Sequence, residues 1–234
     1  MVGKGWVQAV ALVVIFGFFV MGILAYRTYT ASMPQPARVV TADGGELFTG
    51  ADITAGQEIF LARGLMQYGS IVGHGAYLGP DYTADYLRHA TDFVETELRS
   101  SGATDPRQTV ITEFRTNRYD EATGTLTFTD SQARAFEANR QHYAQFFGAN
   151  STENGLVPQV ISDPAVVRQL TAFFAWTAWA SAAERPGHHY SYTNNWPPEP
   201  RVDNGPTADV VVWSVLSLVV LLGGTGALFA VYGR

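Results

Sequence analysis

The sequence predicts a mainly α membrane protein, with two transmembrane helices flanking a helical body that carries one small β-hairpin. Three observations predict it. Residues 6–25 form an apolar run in which only Gln8 is polar, and residues 210–232 form a second run with no charge. Between them, apolar residues recur at helical spacing and are punctuated by Gly and Pro. Cysteine is absent, which excludes disulfides, thiolate metal sites and a covalently held c-type haem. The net charge of −6 leaves no footprint for nucleic acid.

Each apolar run is long enough to cross a hydrocarbon core about 30 Å thick at roughly 1.5 Å per residue. A cleaved signal peptide is the competing reading of the first, but such apolar cores run to only about 7–15 residues. Lys4, the single lysine, precedes the first run and Arg234 follows the second, which puts both termini on the cytoplasmic side. Arg27, just beyond the first run, opposes that orientation. The expected organisation is an anchor at 1–26, a periplasmic body at 27–208 and a second transmembrane helix at 209–234. The body carries 13 arginines against 20 acidic residues. Neither apolar run holds a histidine, acid or base, so neither offers an axial haem ligand or an ion path. They read as anchors. Gly17, Gly22, Gly223, Gly224 and Gly226 suit close packing against partner helices.

Within the body, residues 27–52 read as irregular because of Pro34, Pro36 and the Gly44-Gly45 pair. A helix follows, capped by Asp52 or Thr54 with Gln57 as capping-box partner, and Gly64 stops it. Residues 64–86 are dense in Gly and Tyr and suit close backbone approach. A second helix starts at Asp81 or Thr83 and buries Tyr86, Leu87, Ala90, Phe93, Val94 and Leu98. Residues 110–114 and 125–129 read as two strands, with a Gly-containing turn at 120–124. Asp130 or Ser131 caps a third helix running to Phe147. Asp163-Pro164 starts a fourth, with Pro at its first position. That helix is apolar but short for a span, so it is expected buried in the body or lying on the membrane surface. A polar, aromatic and Pro-rich link leads into the second anchor.

Five histidines bear on chemistry. His74 sits in the Gly-rich stretch, eight residues after Met66. The pair offers a metal or haem ligand set, but His74 reads as a histidine hydrogen-bonded in a tight loop. His89 and His142 fall on helices and read as surface or packing residues. His188 and His189 are adjacent and point apart in most backbones. Phe173, Phe174, Trp176 and Trp179 read as a core or interfacial face, and Trp196 suits a membrane surface.

Three blocks carry a resemblance: YGSIVGHGAYLGPDYTADYL (68–87), FFAWTAWASAAERPG (173–187) and YSYTNNWPPEP (190–200) leading into WSVLSLVVLLGG. Together they resemble the N-terminal part of quinol-dependent nitric oxide reductases, in the same order and over nearly the whole chain. The resemblance implies a cytochrome-c-like periplasmic domain ahead of a haem–copper-type catalytic domain. Cytochrome-bearing relatives have CxxCH just before G-x-GAY-x-x-PD. At that offset this chain has Leu65 and Tyr68 for the cysteines and Gly69 for the histidine, so all three attachment positions are lost. That loss fits a membrane quinol as electron donor.

The resemblance further implies that the backbone carbonyl of Tyr77 binds a calcium ion bridging haem propionates. No cofactor is expected to be held covalently by this chain. Haem b, haem b3 and the non-haem iron belong to the catalytic partner, and membrane lipid surrounds the anchors. The location is the bacterial inner membrane. Relatives continue into further helices bearing the catalytic histidines, so the chain is expected to be a separate subunit or a piece of a longer protein. The complete enzyme would reduce NO to N2O and water in a respiratory chain. An extracytoplasmic sensor or binding module, and a b-type cytochrome using His74 and Met66, are the alternatives.

Overall fold

The computed structural model describes residues 4–30 and 32–232. The chain falls into two compact units, Met1–Pro34 and Gln35–Arg234. The first unit contains α1 (Lys4–Thr30), whose Val10–Thr30 stretch is apolar and wholly unburied. An apolar helix without a polar face needs lipid or partner helices around it.

In the second unit the body is organised around α6 (Pro164–Ala182). Asp163 caps it by accepting from the Ala165 amide at 2.8 Å, and Pro164 fills the first position, as the Asp-Pro pair predicts. From Leu170 to Ala182 nearly every residue is buried, so this segment is core and does not lie on a membrane. Its hydroxyls cost little there, because Thr171, Thr177 and Ser181 each donate to a carbonyl within the helix. Packed on α6 are α2 (Gly50–Ala62), α3 (Tyr82–Ser100) and α5 (Asp130–Phe147). The α2 crossing is close: a Cβ on Gly56 would lie 2.1 Å from the Gln169 carbonyl.

Two caps fall earlier than expected. Thr49, in extended conformation at the end of a strand, caps α2 and closes a capping box with Asp52. Thr129 caps α5 with Gln132 as its partner. In both, the chain turns out of extended backbone one residue before helical dihedrals begin, which is where a cap belongs.

The expected strand at 110–114 is instead part of helix α4 (Pro106–Arg115). Asp105 caps it through the Gln108 amide at 3.0 Å, and Pro106 occupies the first turn. Val110 and Phe114 are four apart and bury one face. The signal was the same Asp-Pro pair that marks α6, overridden by a β-branched run.

The hairpin exists, as β5 (Tyr119–Asp120) and β6 (Thr125–Thr127) with Gly124 at φ 63° in the turn. It is not isolated. Residues expected to be irregular supply β1 (Arg38–Val40) and β2 (Glu46–Thr49), joined at Gly44-Gly45. The four strands run in the order β2-β1-β6-β5, with β1 parallel to β6 and the other pairs antiparallel. Leu126 and Phe128 point into the core, as the alternation with Thr127 and Thr129 predicts. The unit ends in α7 (Ala208–Tyr232), whose Ala208–Ala227 stretch is unburied and long and apolar enough to cross a membrane.

Candidate functional site

The Gly-rich stretch folds into a loop pinned by one carboxylate. After α2 the chain reverses at Gly64, φ 64°, and makes a single 3-10 turn over Leu65–Gln67. Two short strands follow, β3 (Ser70–Ile71) and β4 (His74–Gly75). Asp81 closes the loop and caps α3. Its Oδ1 accepts from the Thr83 and Ala84 amides, both at 3.0 Å. Its Oδ2 accepts from the Ser70 hydroxyl at 2.8 Å and the Gly73 amide at 2.6 Å. The Thr83 hydroxyl accepts from the Val72 amide and donates to Thr177 on α6, which ties the loop to the core.

Two glycines in the loop admit no side chain without a shift of the backbone, for different reasons. Gly75 has φ 145°, and a Cβ there would lie 2.4 Å from the Gly69 carbonyl. Gly79 has no left-handed backbone, but its Cβ would lie 1.9 Å from the Tyr68 carbonyl. Between them the loop tip is bare: Tyr77 is 87% exposed and Leu78 84%. One long 3.5 Å contact from the Tyr77 hydroxyl to the Gly73 carbonyl is its side-chain tie. His74 is exposed, and its Nδ1 lies 2.9 Å from the Val72 carbonyl, the local hydrogen bond expected of a loop histidine.

The residues present do not fit a c-type haem. The Gly69 position, where the resemblance places the attachment histidine, faces a wall. A Cβ there would lie 2.5 Å from the Tyr82 ring and 2.5 Å from the Pro80 carbonyl. Leu65, at a cysteine position, is fully buried. The interior behind them is filled by rings. Tyr82 stacks on Phe174 at 4.8 Å and 7°, and Phe60, Tyr143 and Phe147 pack around that pair. The cavity beside Trp179, lined by Tyr86, Phe114 and Phe128, holds about 20 Å³. Ligand pockets run to roughly 300–1,000 Å³.

Two further features were not assembled from the sequence. An open cleft of about 670 Å³ runs between α3, α4 and the link, with Arg88, Arg99, Arg107 and Arg201 among its walls. Its charges are largely matched internally. Arg201 pairs with Asp92, Arg99 with Glu95, and Arg107 donates to the Pro200 carbonyl. The second feature joins Asp85, His89 and His142, which the sequence left as separate helix residues. The two rings are 4.1 Å apart, and both reach the Asp85 carboxylate. Burial pushes the Asp85 carboxyl up, but the two imidazoles and the Tyr143 hydroxyl outweigh it and hold it well below the usual carboxylate range. The i, i+4 spacing of Asp85 and His89 was visible in the sequence; the approach of α5 was not. His188 packs on Tyr190 at 4.6 Å.

A family model matches residues 36–198, from just before β1 into the link that precedes α7; it describes the cytochrome c-like domain of the NorB subunit of nitric oxide reductase. No curated protein matches the chain.

Proposed function

We infer the function from one premise: the chain belongs to the family of the NorB cytochrome c-like domain of nitric oxide reductase, whose model spans most of it. It is a subunit region of a nitric oxide reductase, carrying two apolar helices long enough for a membrane. Within that frame we propose the quinol-dependent type. This region then carries no redox centre of its own. It stands on the periplasmic side, with both termini cytoplasmic, and packs against the catalytic haem and non-haem iron domain. The complete enzyme takes two electrons and two protons from quinol and converts two NO to N2O and water.

The observation that supports the quinol reading is the wall at Gly69. A haem relay from a soluble cytochrome needs an attached haem here, and the Tyr82 ring and Pro80 carbonyl occupy the direction a histidine side chain would take. The sequence also holds no cysteine to attach a haem, which supports entry of electrons from quinol.

The loop tip supports the docking role. Tyr77 and Leu78 are held out from a loop whose base is fastened to α3 and α6. We propose that this tip faces the catalytic domain and that the Tyr77 carbonyl serves as one ligand of an interfacial calcium. Calcium accepts backbone carbonyls among its oxygens. The adjacent Gly75 and Gly79 keep side chains out of the way.

The test is electron-donor choice in the enzyme that contains this chain. NO turnover is expected with a reduced quinol and not with a reduced soluble cytochrome c. A haem assay after acid–acetone extraction is expected to find nothing covalently attached. Turnover supported by cytochrome c at a comparable rate would overturn the quinol reading while leaving family membership untouched.

A further inference from the structure

We propose that Asp85, His89 and His142 form a binding site for a divalent transition-metal ion of the zinc class, stapling α3 to α5. Among the described residues, these three bring one ligand atom each to within 4.8 Å of one another. Asp85 and His89 lie one helical turn apart, so they share a face of α3. His142 comes from α5, on the facing helix.

The distances leave room for a metal ion between the three groups. His89 Nε2 lies 3.5 Å from Asp85 Oδ1, and His142 Nε2 lies 3.7 Å from Asp85 Oδ2. Both exceed the roughly 2.7–3.2 Å of an N–H···O hydrogen bond. Two ligands at about 2.0–2.2 Å from a tetrahedral zinc stand roughly 3.4 Å apart. The two observed gaps, which run to different oxygens of Asp85, are closer to that spacing than to a direct bond, and the three ligand atoms as a set lie within 4.8 Å of one another.

A second observation points the same way. His142 Nε2 is closed off from solvent and has no hydrogen-bond partner among the described residues. Buried polar atoms are nearly always satisfied, and each exception calls for a reason. A cation between the two imidazoles and the carboxylate supplies one.

The surroundings are those of a metal site. The Tyr143 hydroxyl donates to Asp85 Oδ2 at 2.9 Å, which holds the carboxylate in orientation as an outer-shell group does. Side-chain exposures are 19% for Asp85, 43% for His89 and 33% for His142, so the cluster lies at the edge of the body and not deep inside it. Two imidazoles and one carboxylate suit zinc and its neighbours. Calcium and magnesium prefer oxygen cages. The site is thus chemically distinct from the calcium proposed at Tyr77, and it does not rest on the nitric oxide reductase reading.

The experiment uses the full chain, purified in detergent and stripped with a chelator. Titration with Zn²⁺ is expected to show one tight equivalent and a rise in melting temperature. Co²⁺ is expected to give the visible bands of a four- or five-coordinate nitrogen–oxygen site. His89→Ala and His142→Ala should each weaken zinc binding by at least the roughly 10–100-fold that loss of an outer-shell partner costs. His74→Ala and a His188→Ala/His189→Ala double variant should leave it unchanged. His142→Gln keeps much of the side-chain volume and guards against loss of fold, which circular dichroism of the metal-free variants checks. Binding that survives in His89→Ala and His142→Ala but falls in the other variants would overturn the proposal. So would an unaltered chain that takes up no zinc at tens of micromolar.

Discussion

The loop at 64–81 and the ring-filled interior meet at Asp81-Tyr82, and they are built on opposite principles. The loop is ordered by polar bonds focused on one carboxylate, with left-handed backbone at Val72, Gly73 and Gly75. Its tip has almost no contacts of its own. The interior is ordered by aromatic contact, with a cavity no larger than one water beside it. In a haem-bearing cytochrome the interior would be the working part. Here it is filled by rings, and the exposed Tyr77 and the Asp85, His89 and His142 cluster proposed to bind metals lie outside it.

The comparison is sharpest where it is broken hardest. Phe174→Ala removes a ring stacked on Tyr82 and packed near Phe60, Tyr143 and Phe147. Loss of a buried ring is expected to cost about 3–5 kcal/mol. Urea unfolding followed by near-ultraviolet dichroism measures it, and a cost below about 1 kcal/mol would mean the interior is not tightly packed.

Next come the loop glycines. Gly79→Val and Gly75→Val each force a side chain into a backbone carbonyl, and Gly75 adds a left-handed φ. A cost of about 2–3 kcal/mol is expected for each, with loss of calcium from the assembled enzyme. Retention of both stability and calcium in the two variants would show that the loop has room to rearrange.

Asp81→Ala should cost about 2 kcal/mol, since it removes a cap and leaves the Gly73 amide and Ser70 hydroxyl without their acceptor. Its particular signature is faster proteolysis at Tyr77-Leu78, with the helices still folded. If proteolysis at the tip does not change, the loop is held by something other than this carboxylate.

The smallest effect is expected from Tyr77→Phe. The hydroxyl makes one long contact, so stability should move by less than about 0.5 kcal/mol. If the carbonyl is the calcium ligand, metal content and NO turnover of the assembled enzyme should stay within twofold, roughly the noise of a surface change. Loss of calcium in Tyr77→Phe alone would assign the wrong atom.

Apolar helices show how far sequence reading reaches. The segments of α6 and α7 look alike in composition, yet one is core and the other exposed on every side. Length separated them only in part. What placed α6 inside was the arrival of α2, α3 and α5 around it, and no single segment states that. The loop was legible as a Gly-rich bend, and His74 as a locally bonded histidine, because both depend on neighbours a few residues away.

Part of the local chemistry was therefore legible in the sequence alone. It marked the two apolar runs, the Asp163-Pro164 helix start, the Gly64 and Gly124 reversals and the missing haem attachment, each written within a few consecutive residues. Tertiary structure decided the rest. It paired β1 with β6 across more than eighty residues, put Tyr82 in the path of any side chain at Gly69, and brought His142 to Asp85 and His89. The reason is physical. Caps and turns arise from backbone groups and side chains in near sequence, whereas strand pairing and ligand clusters depend on how separate elements pack, and periodicity carries no record of that.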